Sequence, residues 1–160
     1  CGRILKTFER EFIDDSSSWN EPQDPYYTFY RDRRTCDMIL REFGLYGEHT
    51  HIINGHTPVH VKDGEQPVRA DGRLYVIDGG FSNPMHKTTG IAGYTLIYNS
   101  HGLRLKAHQP FQGVEAALSG NVDIESDSRL VEKNENRILV ADSDNGEKIK
   151  EQIADLRELL

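Results

Sequence analysis

Residues 48–60 read Glu-His-Thr-His-Ile-Ile-Asn-Gly-His-Thr-Pro-Val-His and contain four of the seven histidines in the chain. Within this stretch the β-branched pair Ile52-Ile53 stops at Asn54-Gly55, and His56 follows at once. We therefore expect a short buried strand that ends in a turn, with Gly55 supplying a backbone conformation that only glycine permits. Side chains held where strands end commonly form metal or phosphate sites. The stretch thus predicts a strand end that exposes His56.

The histidines of this stretch differ in how well they suit metal binding. Neutral imidazole is a common ligand of divalent ions, and His56 is the first candidate because the turn exposes it. The alternative for His56 is a histidine that only hydrogen-bonds to the backbone. His49 and His51 lie two residues apart, so an extended chain puts both on one face. A structural zinc site needs further Cys, Asp or Glu ligands. Without them, His49, His51 and His60 are interpreted as the surroundings of His56.

Length and composition limit the classes of protein that this chain can represent. The 160 residues are 36% hydrophobic and 28% charged, with a formal net charge of −7. That length suffices for the core of one domain, so residues 1–160 are treated as a single domain. No window approaches the ~20 apolar residues of a membrane helix, and an acidic chain without a basic stripe is a poor candidate for binding nucleic acid or membrane. Cys1 and Cys36 lack CxxC spacing, which favours a reducing, cytoplasmic setting.

The flanking residues predict a mixed fold. Residues 31–43 predict a helix because Cys36, Ile39, Leu40 and Phe43 form one apolar stripe, with Gly44 at the C-terminal cap. Asp71-Gly72 predicts a hairpin turn, and the double glycine Gly79-Gly80 predicts backbone passing close to a ligand or another strand. The remaining element predictions are a strand or helical turn at 7–13, strands at 73–77, 91–98, 103–108 and 137–141, a loop at 81–90, weak strands at most in 119–135, and helices at 114–118 and 147–160. Together they predict an α/β (α+β) fold in which a mostly antiparallel sheet is flanked by helices.

Several cations and aromatic residues are further candidates for a binding site. His86 and Lys87 lie in the loop that follows Gly79-Gly80, where a phosphate contact is plausible. Arg69 and Lys62 are interpreted as hairpin cations first and phosphate contacts second. The aromatic cluster, residues 26–30, is either a surface segment pinned to the core by its rings or the wall of a ligand site or interface. The other histidines, which are His86, His101 and His108, are interpreted as surface or hairpin residues.

Several stretches of the sequence carry a family resemblance. They are the three longer strings at residues 49–59, 76–82 and 88–100, together with residues 7–10 and the predicted terminal helix. They resemble the C-terminal part of the class III fructose-1,6-bisphosphatases of bacteria. Residues 55–58, Gly-His-Thr-Pro, resemble a motif of the calcineurin-like metallophosphoesterase superfamily. The resemblance covers nearly the whole chain and is strongest at residues 49–110.

This resemblance implies a fold, a reaction and a metal. The fold would be part of a β-sandwich flanked by helices, and the reaction would be hydrolysis of the 1-phosphate of fructose 1,6-bisphosphate in gluconeogenesis. The cofactor would be Mn²⁺ or another divalent cation in a dinuclear centre, with His56 matching a ligand of one metal. Two cations about 3.5–4 Å apart can bind phosphate oxygens and activate hydroxide for in-line attack.

The resemblance also implies that part of the site lies elsewhere. The family's Asp-x-His, Gly-Asp-x-x-Asp-Arg and Asn-His motifs do not occur in this chain, which begins with Cys1. We therefore expect the C-terminal portion of a longer enzyme, inactive alone, which contacts the missing N-terminal portion through the aromatic cluster and the terminal helix. Apolar surface left exposed there would favour self-association, so a homo-oligomer is an alternative to the monomer. The alternatives are a related phosphoesterase acting on another phosphate ester, and a non-catalytic binding or assembly module.

Overall fold

The computed structural model describes residues 24–159, and the predictions for residues 7–13 and for Leu160 lie outside that range. The helices are α1 Pro25–Phe29, α2 Arg33–Glu42, α3 Asn83–Thr89, α4 Val114–Gly120 and α5 Asp144–Glu158. The strands are β1 Ile52–Asn54, β2 Val68–Arg69, β3 Leu74–Val76, β4 Gly93–Asn99, β5 Gly102–His108 and β6 Ser126–Lys133. Short 3-10 turns occupy Val61–Asp63, Ala70–Gly72 and Val140–Asp142. The predicted mixed fold with mostly antiparallel sheet is confirmed.

Helix α2 forms where the apolar stripe predicted it. Asp32 caps its N-terminus by accepting a hydrogen bond from the backbone N–H of Thr35 at 3.0 Å. Cys36 and Leu40 are buried on the inner face, which confirms Cys36 as a small core residue. Phe43, the last residue of the predicted stripe, is 78% exposed, so the burial expected there is wrong. Gly44 follows the helix with φ of 72°, a conformation that glycine adopts at little cost.

The first sheet has the strand order β1-β3-β2. Strand β3 is central, and its residues Leu74, Tyr75 and Val76 are all buried. Strand β1 pairs with it in parallel, whereas β2 pairs with it in antiparallel orientation through the turn at Ala70–Gly72. This confirms the hairpin predicted from Asp71-Gly72.

The second sheet is antiparallel, with the order β4-β5-β6. Strands β4 and β5 form the predicted hairpin, in which Leu96 pairs with Leu105. The two sheets meet where Gly79 passes Gly93, since a Cβ built on Gly79 would lie 2.6 Å from the Gly93 Cα. Gly79 therefore lets the segment that follows β3 pass close to strand β4, as predicted for backbone near another strand. Leu74, Val76, Ile91, Tyr94 and Leu105 share one core cluster across this junction.

Three element predictions are wrong. The predicted loop 81–90 contains helix α3, because Pro84 suits the first turn and Gly90, at φ of 80°, ends the helix. The polar stretch 119–135 contains the eight-residue strand β6, which pairs along β5 with most of its side chains exposed. Residues 137–141 are not a buried strand: Val140 is 72% exposed and begins a 3-10 turn. The last two predictions failed because pairing with a distant strand decides these structures. Strand β6 forms because it pairs with β5, whereas residues 137–141 pair with no strand of the described part of the chain.

Buried Arg73 connects the first sheet to helix α2. Its Nε lies 2.8 Å from an Asp37 carboxylate oxygen, and its Nη1 donates to the backbone carbonyls of Gly47 and Glu48 at 2.8 and 2.9 Å. A buried guanidinium needs several acceptors to offset its lost hydration. Arg73 therefore orders the chain segment that leads into the histidine-rich stretch.

Within residues 24–159, no helix is both long and apolar enough to cross a membrane.

Helix α5 begins at Asp144, where the Ser143 hydroxyl accepts from the Gly146 N–H at 3.2 Å. Its predicted apolar face remains largely uncovered, since Ile149, Ile153 and Leu156 are 43–60% exposed.

Candidate functional site

His56 occupies an unusual backbone position directly after β1. Its φ of 68° lies in the left-handed region, which residues with a Cβ rarely adopt. Gly55 has no positive φ, so the expectation that Gly55 supplies the special conformation is wrong. The left-handed residue is the histidine itself. Such local strain is found where a side chain must be aimed at a functional position.

The backbone on both sides of His56 is anchored. The Asn54 carbonyl accepts from the Ile77 N–H at 2.8 Å, and the Val59 N–H donates to the Asp78 carbonyl at 2.8 Å. The intervening turn closes through a 2.8 Å bond from the Thr57 N–H to the Gly55 carbonyl. His56 is exposed between these anchors, as predicted. The expected burial of β1 is wrong in part, because Ile53 is 55% exposed.

The described residues do not contain a complete metal site. Across residues 24–159, no group of three or more His, Cys, Asp or Glu side chains is arranged to hold a metal ion. A dinuclear centre needs several protein ligands. His56, exposed at the strand end, fits the role of one imidazole ligand but not that of a whole centre.

Arg69, predicted as a phosphate contact, makes several contacts inside the fold. Its Nη2 lies 3.1 Å from Glu65 Oε2, and its Nε donates to the Gln66 carbonyl at 3.1 Å. The guanidinium also donates to the Tyr30 hydroxyl and lies 4.9 Å from the centre of that ring. These contacts attach β2 to the aromatic cluster. A phosphate contact by Arg69 stays a prediction.

Lys87 lies on helix α3 and is exposed. The Lys87 carbonyl accepts a hydrogen bond from Lys62 Nζ, which brings two of the predicted cations to the same surface. Gly90 packs against the Lys62 side chain, since a Cβ there would lie 2.7 Å from Lys62 Cγ. Lys87 is therefore presented on a helix rather than on the loop that the sequence indicated.

His49 and His51 contact the same carboxylate, which is consistent with the predicted placement of both on one face. His49 Nδ1 lies 2.7 Å from Glu132 Oε1, and His51 Nε2 lies 2.8 Å from Glu132 Oε2. His51 Nδ1 also contacts the Gly72 carbonyl at 2.9 Å. These contacts join the start of β1 to β6 and therefore connect the two sheets. Glu132 was missed because it lies in the stretch for which at most weak strands were predicted.

Hydrogen bonds, nearby charges and burial shift the pKa values of Glu65, Asp32 and Cys36. Burial by itself would raise the pKa of the Glu65 carboxyl, but the His60 backbone N–H and the guanidinium groups of Arg69 and Arg31 outweigh that effect and lower it. Asp32 has a lowered pKa because the backbone and hydroxyl of Thr35 donate to it. Burial raises the pKa of the Cys36 thiol, which leaves it an unreactive core residue.

The chain was compared with known families, curated proteins and solved structures. The family model described as Firmicute fructose-1,6-bisphosphatase matches residues 1–160. A "Fructose-1,6-bisphosphatase class 3" of Fusobacterium nucleatum is 50% identical over 157 residues, which are 98% of this chain and 24% of that protein. Proteins of the same name from Bacteroides fragilis and Clostridium botulinum are 50% and 49% identical over 156 residues, covering 98% of this chain and 24% and 23% of theirs. No solved structure matches the chain.

The family model and the curated relatives all carry the name fructose-1,6-bisphosphatase. The chain belongs to the Firmicute fructose-1,6-bisphosphatase family. It spans about a quarter of the length of the curated relatives that it matches.

Proposed function

We propose that this chain is part of a class 3 fructose-1,6-bisphosphatase, a phosphoric monoester hydrolase that removes the 1-phosphate of fructose 1,6-bisphosphate. The observation that carries the proposal is the 50% identity to proteins of that name along 98% of the chain. The enzyme would act in gluconeogenesis in the cytoplasm. Its substrate would be a small phosphorylated sugar, with no nucleic acid or membrane as partner.

Within that enzyme, His56 would provide one ligand to a dinuclear Mn²⁺ centre, or one of another divalent cation. Its exposed imidazole and its left-handed backbone support this role. Such a centre would polarise the phosphate and supply the attacking hydroxide. Lys87 and Arg69 would bind substrate phosphate, a role that the exposed ammonium group of Lys87 supports more directly than the internally bonded guanidinium of Arg69.

The other metal ligands would come from the rest of a longer protein, against which this chain packs. Uncovered apolar residues support such a contact: Tyr98 is 66% exposed, Phe43 78% and Leu118 81%. The open apolar face of α5 supports the same proposal. By this reasoning the 160 residues alone would release no phosphate and could self-associate.

A chimera tests the proposed function. The matching quarter of the Fusobacterium nucleatum relative would be replaced by this chain, and phosphate release from fructose 1,6-bisphosphate would be measured with Mn²⁺. We expect activity from the chimera, none from the 160 residues alone, and loss of at least about 100-fold in the His56→Ala chimera. The control is His101→Ala, which alters an exposed residue of the β4–β5 turn.

The same chimera separates the alternatives. Faster turnover of another phosphate ester would favour the related phosphoesterase. An active chimera in which His56→Ala has no effect would remove the metal role. An inactive but folded chimera would favour the non-catalytic binding or assembly module, for which calorimetric titration with Mn²⁺ should detect no binding.

A further inference from the structure

The sequence contains two Asn-Gly pairs, at residues 54–55 and 145–146. An asparagine that precedes glycine is chemically labile, because glycine lacks the Cβ that would hinder its nitrogen from attacking the asparagine side chain. The two pairs have different surroundings in the structure. The fold therefore decides which of them can react.

The second pair is held by helix α5. Asn145 is the second residue of that helix, and the Gly146 N–H donates to the Ser143 hydroxyl at 3.2 Å. Gly146 is also buried, and it packs against the Val140 carbonyl. A backbone nitrogen that already donates a hydrogen bond inside a packed turn is poorly placed to attack a side chain. The fold therefore protects Asn145.

The first pair lies where β1 ends, and its glycine is open to solvent. Asn54 is the last residue of β1, and Gly55 is exposed. Its N–H has no backbone hydrogen-bond partner among residues 24–159. No atom lies within 4 Å of the position that a Cβ on Gly55 would take. The attacking nitrogen and the space around it are therefore free.

One hydrogen bond restrains the Asn54 side chain. Its Nδ2 donates to the Tyr26 hydroxyl at 2.7 Å, which directs the amide at helix α1. The amide must leave this bond before its carbon can turn to the Gly55 nitrogen. The Tyr26 hydroxyl therefore opposes the reaction.

We propose that Asn54-Gly55 is a self-modification site, at which the folded chain deamidates at a rate set by the Tyr26 hydroxyl. The Gly55 nitrogen bonds to Asn54 Cγ, the bond from Cγ to Nδ2 breaks, and ammonia leaves with the proton of the Gly55 N–H. Water then opens the resulting cyclic imide at either carbonyl, which yields an aspartyl or an isoaspartyl residue at position 54. The site goes beyond the proposed phosphatase function and does not depend on it.

The isoaspartyl product changes the turn that carries His56. In that product the chain continues through the former side chain, so the Asn54 carbonyl that accepts from the Ile77 N–H at 2.8 Å becomes part of a free carboxylate. The turn then loses its anchor to the first sheet on the side that precedes His56. Modification at position 54 would therefore move His56 relative to β3.

Mass spectrometry of the 160-residue chain tests the site. The folded chain is incubated at neutral pH, and its peptides give the fractions of asparagine, aspartate and isoaspartate at positions 54 and 145. We expect Asn54 to be converted faster than Asn145. Tyr26→Phe should raise the rate at Asn54 about two- to tenfold, the effect of one lost hydrogen bond, and leave the rate at Asn145 unchanged. The matched control Tyr27→Phe should change neither rate.

A second variant acts on the attacking nitrogen. Gly55→Ala places a methyl group where no atom lies within 4 Å, so the fold is retained while the rate at Asn54 should fall several-fold. Faster conversion of Asn145 than of Asn54 in the folded chain overturns the proposal, as does an unchanged rate at Asn54 in folded Tyr26→Phe. If circular dichroism finds Tyr26→Phe unfolded, Gly55→Ala decides: a slower reaction at Asn54 supports the site, and an unchanged one overturns it.

Discussion

The side-chain amide of Asn54 donates a 2.7 Å hydrogen bond to the hydroxyl of Tyr26. This bond joins the end of β1, two residues before His56, to the aromatic cluster on α1. Burial raises the pKa of Tyr26 although the Asn54 bond opposes the change, so the hydroxyl remains protonated at neutral pH. Most of the aromatic cluster lies on helix α1. Through the bond from Asn54 to Tyr26, the cluster supports the strand end that presents His56.

Tyr26→Phe should reduce stability because it removes this acceptor and leaves the Asn54 amide unpaired. We expect a loss of about 0.5–1.5 kcal/mol in the free energy of unfolding, measured by urea denaturation. Tyr27→Phe is the matched control, since Tyr27 packs edge-on against Tyr26 but is 36% exposed. Equal losses in the two variants would contradict a specific role for the bond.

His56→Gly should stabilise the fold while it removes the proposed ligand. Glycine adopts a φ of 68° readily, whereas a residue with a Cβ there costs about 1 kcal/mol. We expect a gain of about that size in urea denaturation, and no gain in His56→Ala, which retains the Cβ. A less stable His56→Gly would mean that the imidazole contributes contacts that outweigh the backbone strain.

Gly79→Ala should be strongly destabilising. The new Cβ would lie 2.6 Å from the Gly93 Cα and 2.9 Å from Ile91 Cγ2, so the two sheets would have to separate. We expect a loss of at least about 2 kcal/mol, measured by thermal or urea unfolding. Gly55→Ala is the control, because no atom lies within 4 Å of the position that its new methyl group would take and its φ is not positive. A tolerated Gly79→Ala would place the sheets farther apart than the structure has them.

Glu65 should make stability depend on pH. Its pKa is lowered in the folded protein, so the ionised carboxylate stabilises the fold above its ordinary value of 4.5, and that contribution is lost as pH falls through the lower folded value. Glu65→Gln should therefore cost about 1–3 kcal/mol at pH 7 and progressively less below pH 4.5. The exposed Glu135→Gln provides the baseline. A pH-independent cost at Glu65 would contradict the lowered pKa.

Sequence reasoning succeeded where short-range signals decide structure. The stripe containing Cys36 and Leu40 sufficed for α2, and Asp71-Gly72 sufficed for the β2–β3 turn. The same reasoning identified the exposed position of His56, because the β-branched run ends just before it. These features depend on residues within a few positions of one another.

Sequence reasoning failed where contacts between residues distant in the sequence decide the structure. Strand β6 has a weak pattern of its own and exists through its pairing with β5, so Glu132 and its contacts with His49 and His51 could not be foreseen. The contact of Arg69 with the Tyr30 ring could not be foreseen either, because the two residues lie 39 positions apart in the sequence. The left-handed backbone of His56 was assigned to Gly55, because residue preferences favour glycine over histidine there.

The parallel pairing of β1 with β3 has a consequence for the order of folding. Leu74 pairs with Arg69, which lies 5 positions earlier in the sequence, and with Ile52, which lies 22 positions earlier. Closing the longer loop costs more chain entropy, so the hairpin should form before β1 joins it. The turn that carries His56 would then be among the last parts of this sheet to become ordered and the first to open. Faster hydrogen exchange at the Ile52 amide than at the Val76 amide would report that order.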